Sequence, residues 1–290
     1  MTAQNIYDDP DFLAGYEKLD RQVRGLDGAA EWPTLRSMLP DVAGRRVVDL
    51  GCGFGWFSRW ADQRGATHVI SIDASTKMLE RARNETSSPT IEYRCEDLDA
   101  LDLPPDSTDV AFSSFTLHYL KNLDRFLSVV ARAICPGGSI VFSVEHPIYS
   151  APRTQDFEAR SNGDRIWPLD NYLVEGPRVR SWFVDGVAKE HRSIATYVNA
   201  VIGAGFTLDP LVEWGATAEE VAAHPGRADV RQTLVSPDAS DTKKSIKVVG
   251  DLHSPPTSSS SRTCPVPVGS VTFSPGSVDR TSWNVGFRPV

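Results

Sequence analysis

The chain has 290 residues, 40% of them hydrophobic, enough apolar material to bury the core of one or two domains. Thirty basic residues against 38 acidic ones leave a net charge of −8, and no dense Lys/Arg run interrupts that balance, which argues against a nucleic-acid partner. No apolar stretch approaches the length of a membrane span and the first residues are polar and acidic, so a cytoplasmic protein without membrane segment or signal peptide is expected.

Cys52, Cys95, Cys135 and Cys264 lack metal-ligand spacing and read as free thiols of a reducing compartment, with no metal site expected. Residues 11–23 carry Phe12, Leu13, Tyr16 and Leu19 at helical spacing, and residues 29–39, with Trp32 and Pro33 near their start, suggest a second helix. The run Val47-Val48-Asp49-Leu50-Gly51-Cys52-Gly53-Phe54-Gly55-Trp56 is the most informative segment. It reads as a short apolar strand ending beside an acid, a glycine-rich turn and the start of a helix over 56–63. Glycines there permit a tight bend and the close approach of a ligand. A dinucleotide turn has the pattern G-x-G-x-x-G, but here the third glycine comes one residue early and Trp56 stands in its place. Asp49 would repel a phosphate and suits a cationic amino-acid group. The alternative is a strand–helix turn that binds nothing.

His68-Val69-Ile70-Ser71-Ile72 reads as a second strand. Asp73 follows about twenty residues after the glycines, where nucleotide folds place an acid on ribose hydroxyls. Ser75 reads as the cap of a helix through Met78, Leu79 and Ala82. Residues 91–94 read as a third strand, with Glu96 and Asp97 just beyond it, and residues 108–114 as a fourth. A helix end, the turn Pro136-Gly137-Gly138 and a fifth strand complete the series.

These segments, in this order and spacing over residues 6–227, resemble the class I S-adenosylmethionine (SAM)-dependent methyltransferases, in particular the small-molecule type 11 group of secondary metabolism. The resemblance implies an α/β, Rossmann-like doubly wound sheet in the order 3-2-1-4-5-7-6. It implies SAM as methyl donor, with Asp49, Gly51, Cys52 and Gly53 at the methionine part and Asp73 and Ala74 at the ribose. Met78 would lie under the adenine, whose amino group would meet Asp97 (Glu96 as second choice), with a backbone N–H near Leu98 reading a ring nitrogen. Ser114 opens motif IV, which continues to Leu120. The helices of residues 1–42 would form a lid over the 43–231 domain, placing Tyr7, Tyr16 and Trp32 near the sulfonium or the acceptor; aromatic faces attract cations.

Between the fifth strand and Ile194 lies an insertion, about 146–193, longer than a connection requires and rich in aromatics. A hairpin turning at Asp185-Gly186 is expected within it, as a cover for a small organic acceptor. A base is needed only for a nucleophile that must lose a proton. His118 and His146 are the catalytic candidates, with Glu145 third. A helix over 194–204, a sixth strand over 206–214 and a short helix capped by Thr217 should follow. Residues 232–290 are rich in Ser and Pro and read as a disordered tail, which leaves the seventh strand missing or replaced. The segment 245–249 is the one strand candidate there. The alternatives to an enzyme of this class are a non-catalytic SAM-binding or partner subunit and an NAD(P)-dependent oxidoreductase; the acceptor atom and oligomeric state are not legible.

Overall fold

The computed structural model describes residues 4–154, 157–163, 165–208, 211–215, 218–223 and 245–252. Three short helices precede the first strand: α1 (Pro10–Tyr16), α2 (Asp20–Val23) and α3 (Trp32–Met38). The single helix expected over 11–23 is broken at Leu19, whose extended backbone (φ −62°, ψ 141°) turns the chain and carries Arg21 and Gln22 to the cavity described below.

β1 (Arg46–Leu50) is buried from Val47 onward, as an apolar strand must be when both faces of its sheet are covered. α4 (Trp56–Gln63), β2 (His68–Asp73), α5 (Thr76–Asn84), β3 (Ile91–Cys95), β4 (Thr108–Ser114), α6 (Leu123–Ala133) and β5 (Ile134–Glu145) follow. Side-chain caps start the helices by satisfying their first free N–H groups. Ser75 Oγ accepts from Met78 N at 3.1 Å, and Asn122 Oδ1 from Arg125 N at 3.0 Å. α6 buries Leu123, Phe126, Leu127 and Val130, the spacing of one helical face, in the core under β1, β4 and β5. The five strands run parallel in the order β3-β2-β1-β4-β5. The strand order reverses between β1 and β4, so the ligand crevice of such a sheet opens at their carboxyl ends.

Beyond β5 the chain forms α7 (Pro147–Ser150), the short pair β6 (Glu158–Ala159) and β7 (Arg165–Ile166), and the hairpin β8 (Gly176–Trp182) and β9 (Val184–His191). This hairpin turns at Phe183 and not at Asp185-Gly186. Arg180 pairs with Val187 but Trp182 with Val184, so Asp185 and Gly186 are absorbed in a one-residue register shift. The shift puts Trp182 and Phe183 against Phe12 of α1, at ring centroid distances of 5.3 and 5.7 Å, and those ring contacts outweigh the local turn preference of Asp-Gly.

α8 (Ile194–Gly203), β10 (Phe206–Leu208), β11 (Val212–Trp214), α9 (Ala218–Ala223) and β12 (Ser245–Leu252) complete the described chain. The expected sixth strand is thus two pieces, with a register step of one residue between them. Residues 209 and 210 between the two pieces lie outside the described residues. β12 lies antiparallel between β5 on one side and β10 and β11 on the other. The order 3-2-1-4-5-7-6 is therefore complete, and reading all of 232–290 as a disordered tail is corrected at this strand: seven consecutive pairings, Ser245↔Glu145 to Asp251↔Ser139, secure it to β5. Thr217, and residues 224–244 and 253–290, lie outside the described residues. Among the described residues no helix is long and apolar enough to cross a membrane.

Ile246 is paired on both sides, with Val144 and with Glu213, so its N–H serves the ladder whichever way it points. Ile246→Pro would remove a ladder hydrogen bond inside the sheet and should lower the melting temperature. Thermal denaturation checks this; an unchanged melting temperature would show that β12 contributes nothing to the sheet.

Candidate active site

The turn after β1 is built from backbone geometry that only glycine adopts easily. Gly51, Gly53 and Gly55 have φ of +83°, +53° and +73°. Gly51 N and Cys52 N both donate to Ile72 O of β2, at 2.8 and 2.9 Å, which ties the turn to the neighbouring strand. A Cβ on Gly51 would lie 2.1 Å from Thr116 Oγ1. A Cβ on Gly53 would meet no atom within 4 Å, because this glycine faces open space in the cavity. Gly51 is thus demanded by the fold, and Gly53 leaves a bare backbone for a ligand to approach.

Asp73, at the end of β2, accepts from Gly53 N at 2.8 Å and from Ser75 N at 2.9 Å. Each bond occupies one oxygen, so each oxygen keeps acceptor capacity for a diol hydroxyl. Burial raises the Asp73 carboxyl above its usual range, against the lowering effect of these two bonds. Asp49 is 2% exposed and ends a buried chain in which Ser71 Oγ donates to Ser58 Oγ (2.8 Å) and Ser58 Oγ to Asp49 Oδ2 (2.6 Å). Burial, with the charge of Asp73 adding to it, pushes the Asp49 carboxyl up to about 7. Both acids therefore suit a site whose occupant brings positive charge.

One cavity of about 520 Å³ runs from this turn to the hairpin. Asp49, Gly51, Cys52, Gly53, Asp73, Ala74, Met78, Asp97, Leu98 and Ser114, all picked out from the sequence, line it together. Asp97 also caps its own turn, accepting from Asp99 N at 3.0 Å. Tyr7, Tyr16 and Trp32 line it as well, with Tyr119 and Trp182. Tyr7 OH donates to Tyr119 OH at 3.2 Å, and its ring lies edge-on to those of Phe12 and Tyr16 at 5.0 and 5.2 Å. Burial raises all three tyrosine hydroxyls, which stay protonated.

The two histidines separate. His118 lines the cavity, 3% exposed, and its Nδ1 accepts from Glu145 N at 3.3 Å. Burial, with Lys189 and Arg192 nearby, holds its basicity well below that of a free imidazole. A neutral ring accepting at Nδ1 carries its proton on Nε2, so what His118 has left to offer is a donor. His146 does not line the cavity: Nδ1 accepts from Ile148 N at the start of α7, and Nε2 lies 2.7 Å from Glu213 Oε1 of β11. Glu145 does line it, paired with Lys189 Nζ at 3.0 Å.

Residues 48–142 match a family model described as a methyltransferase domain. An uncharacterised protein of Haemophilus influenzae is 33% identical over 217 residues, covering 72% of this chain and 85% of its own. A crystal structure of an S-adenosylmethionine-dependent methyltransferase from Mesorhizobium loti is 46% identical, covers 78% of this chain and 99% of its own, and superposes with a TM-score of 0.72. The chain belongs to the SAM-dependent methyltransferases. Malonyl-[acyl-carrier protein] O-methyltransferase of Pectobacterium atrosepticum is also similar, at 33% identity, but over 38% of this chain and 42% of that enzyme.

Several residues of this methyltransferase's cavity give no signal in the sequence, because their partners are distant along the chain. Arg21 Nη2 meets Glu31 Oε1 at 3.0 Å and Ser114 Oγ at 3.3 Å. Its guanidinium lies 4.9 Å from the Phe115 ring, and Phe115 itself has φ +54°. Thr116, which fills the space beside Gly51, is likewise recognisable only in the folded chain.

The two glycines should respond differently to alanine. Both substitutions force a side chain into left-handed backbone, at about 1–2 kcal/mol, but Gly51→Ala adds the collision with Thr116 and should lower the melting temperature further. Gly53→Ala should stay folded and bind S-adenosylhomocysteine more weakly. Calorimetric titration beside thermal melts separates the two; equal affinity for Gly53→Ala and the parent would remove the case for close approach at Gly53.

Asp49 predicts a pH dependence. Its folded value lies above the ordinary 3.8, so the native protein takes up a proton that the unfolded chain releases. The resulting penalty is absent below about pH 4, grows as pH rises and is complete above about 7, at most roughly 4 kcal/mol for a shift of about three units. In ligand-free protein, Asp49→Asn should raise the melting temperature at pH 8 and have little effect near pH 4. A stabilisation independent of pH would contradict this.

Proposed function

We propose that this SAM-dependent methyltransferase acts on a small organic molecule, held between the N-terminal helices and the β8–β9 hairpin. The observation that carries the reading is one continuous cavity in which a bare Gly53 backbone and three carboxylates at one end lead into an aromatic wall at the other. Asp49 and the glycine turn would hold the methionine part of SAM, Asp73 the ribose hydroxyls, and Asp97 the adenine amino group, with Met78 beneath the ring. SAM supplies a methyl group activated by the sulfonium. Bound there, SAM would give up that methyl to the acceptor and leave as the neutral thioether S-adenosylhomocysteine.

The chain's own contribution is alignment and exclusion of water, the main sources of rate for an in-line displacement. Asp73 holds the turn and the diol in one frame. Tyr7, Tyr16, Tyr119 and Trp182 keep the reacting centre dry and offer ring faces to the sulfonium. His118, protonated at Nε2, would donate to the acceptor and orient it. The base expected from the sequence is therefore recast as a positioning group, and His146, bonded between α7 and β11, is assigned a structural role.

Calorimetry should show SAM and S-adenosylhomocysteine binding one per chain, and no heat with NAD. Asp73→Ala should weaken both roughly ten- to hundredfold, the loss of charge-assisted hydrogen bonds worth about 1.5–3 kcal/mol. Labelled methyl from SAM should enter the low-mass fraction of a cell extract, and His118→Phe should slow this with SAM affinity kept within about twofold. Preference for NAD, or label entering only macromolecules, would overturn the reading.

A further inference from the structure

The charged lining of the cavity does not balance on the side away from the glycine turn. Asp49, Asp73 and Asp97 belong to the cofactor end. Of the remaining lining charges, Arg21 is paired with Glu31 at 3.0 Å and Lys189 with Glu145 at 3.0 Å. Arg180, on β8 beside Ser181 and Trp182, is left over. No carboxylate among the described residues lies within ion-pair distance of it. Its Nη groups donate instead to backbone carbonyls: Nη2 to Ser150 O at 2.8 Å and to Pro152 O, Nη1 to Arg153 O at 3.2 Å.

Carbonyl oxygens fix the plane of the guanidinium and leave its charge in place. Burial works against that charge, and so does Arg178, two residues earlier on the strand; the charges of Glu145 and Asp170 oppose them in smaller measure. A partly buried cation without a counter-ion costs free energy until an anion joins it. The hairpin, braced by Trp182 and Phe183 on Phe12, holds Arg180 at the wall with carbonyl partners and no carboxylate partner among the described residues. Evolution of a packed insertion around one unpaired cation makes sense where the counter-ion arrives with the substrate.

We propose that Arg180 recognises a carboxylate on the methyl acceptor, so that the acceptors of this enzyme are small acids with an apolar body. The aromatic rings on the same side would cover that body, and one uncancelled positive charge matches the single charge of a carboxylate. The proposal rests on the reading above that the hairpin side of the cavity is the acceptor side.

The test is a matched pair of probes, 3-phenylpropionate and its neutral amide, titrated into the full chain saturated with S-adenosylhomocysteine and followed by tryptophan fluorescence. The acid should bind at least about tenfold more tightly than the amide, as a charge-assisted hydrogen bond provides. Arg180→Gln should bring the two within about twofold while amide affinity and S-adenosylhomocysteine affinity stay as they were. Arg180→Lys, which keeps the charge, should retain part of the preference and guards against a folding defect in the glutamine variant. Equal binding of acid and amide to the parent, binding of neither, or a preference that survives Arg180→Gln would overturn the proposal. Failure of S-adenosylhomocysteine to bind would instead overturn the cofactor reading; the acid–amide comparison, run without it, still reports on Arg180.

Discussion

The suture between the first two strand ends is the constraint on which the site depends. Ile72 O receives Gly51 N and Cys52 N, and Asp73 receives Gly53 N and Ser75 N. Four backbone donors from two different turns converge on two consecutive residues of β2. The glycine turn therefore cannot move without α5, and α5 begins at Ser75, whose hydroxyl both caps the helix and donates to Asp8 from the N-terminal segment at 2.6 Å. Cofactor turn, second strand and N-terminal cover form one bonded unit. The burial of Asp49 behind this unit is the cost of the arrangement, and an occupant with positive charge relieves it.

The other end of the cavity is held by packing. Phe12 lies at the centre, fully buried, with rings from α1, from the segment before it and from the β8–β9 hairpin around it. Edge-on aromatic contacts of this kind fix orientation as well as burying area. Gln4 adds a two-point clasp on β9, donating to Gly186 O and accepting from Ala188 N, both at 2.8 Å. The insertion and the N-terminus thus close over the sheet together, and Tyr7, Tyr16 and Trp182, which line this end of the cavity, come from segments outside the parallel sheet. Function resides in the site placed on a fold, and this part of the cavity is built on the fold by added segments.

Much of this was legible in the chain. The buried run before Gly51 and the Ser75 cap stand where local chemistry puts them, because strand burial and capping act over a few residues; the turn expected at Pro136-Gly137-Gly138 is instead taken into β5 as a register shift against β4. The gathering of Asp49, the glycine turn, Asp73 and Asp97 on one cavity was legible for the same reason: these residues follow the ends of successive parallel strands, which the fold brings side by side. The hairpin turn, the broken sixth strand and the partners of Arg21 and Lys189 were not legible. Each depends on a contact between segments far apart in sequence, and in the hairpin the distant contact with Phe12 overrides a strong local turn signal.

By itself, then, the sequence determined the order of strands and helices, the glycine turn and the acids that follow it, since these rest on short-range stereochemistry and periodic burial. Only the tertiary structure decided that segment 245–252 completes the sheet, because a strand in a Ser/Pro-rich region shows itself through pairing with β5, β10 and β11. It also distinguished the two histidines, placing His118 on the cavity and His146 off it, and left Arg180, among the cations lining the cavity, without an ion pair to any described carboxylate. Charge balance and hydrogen-bond direction are properties of neighbours in space, and no spacing along the chain records them.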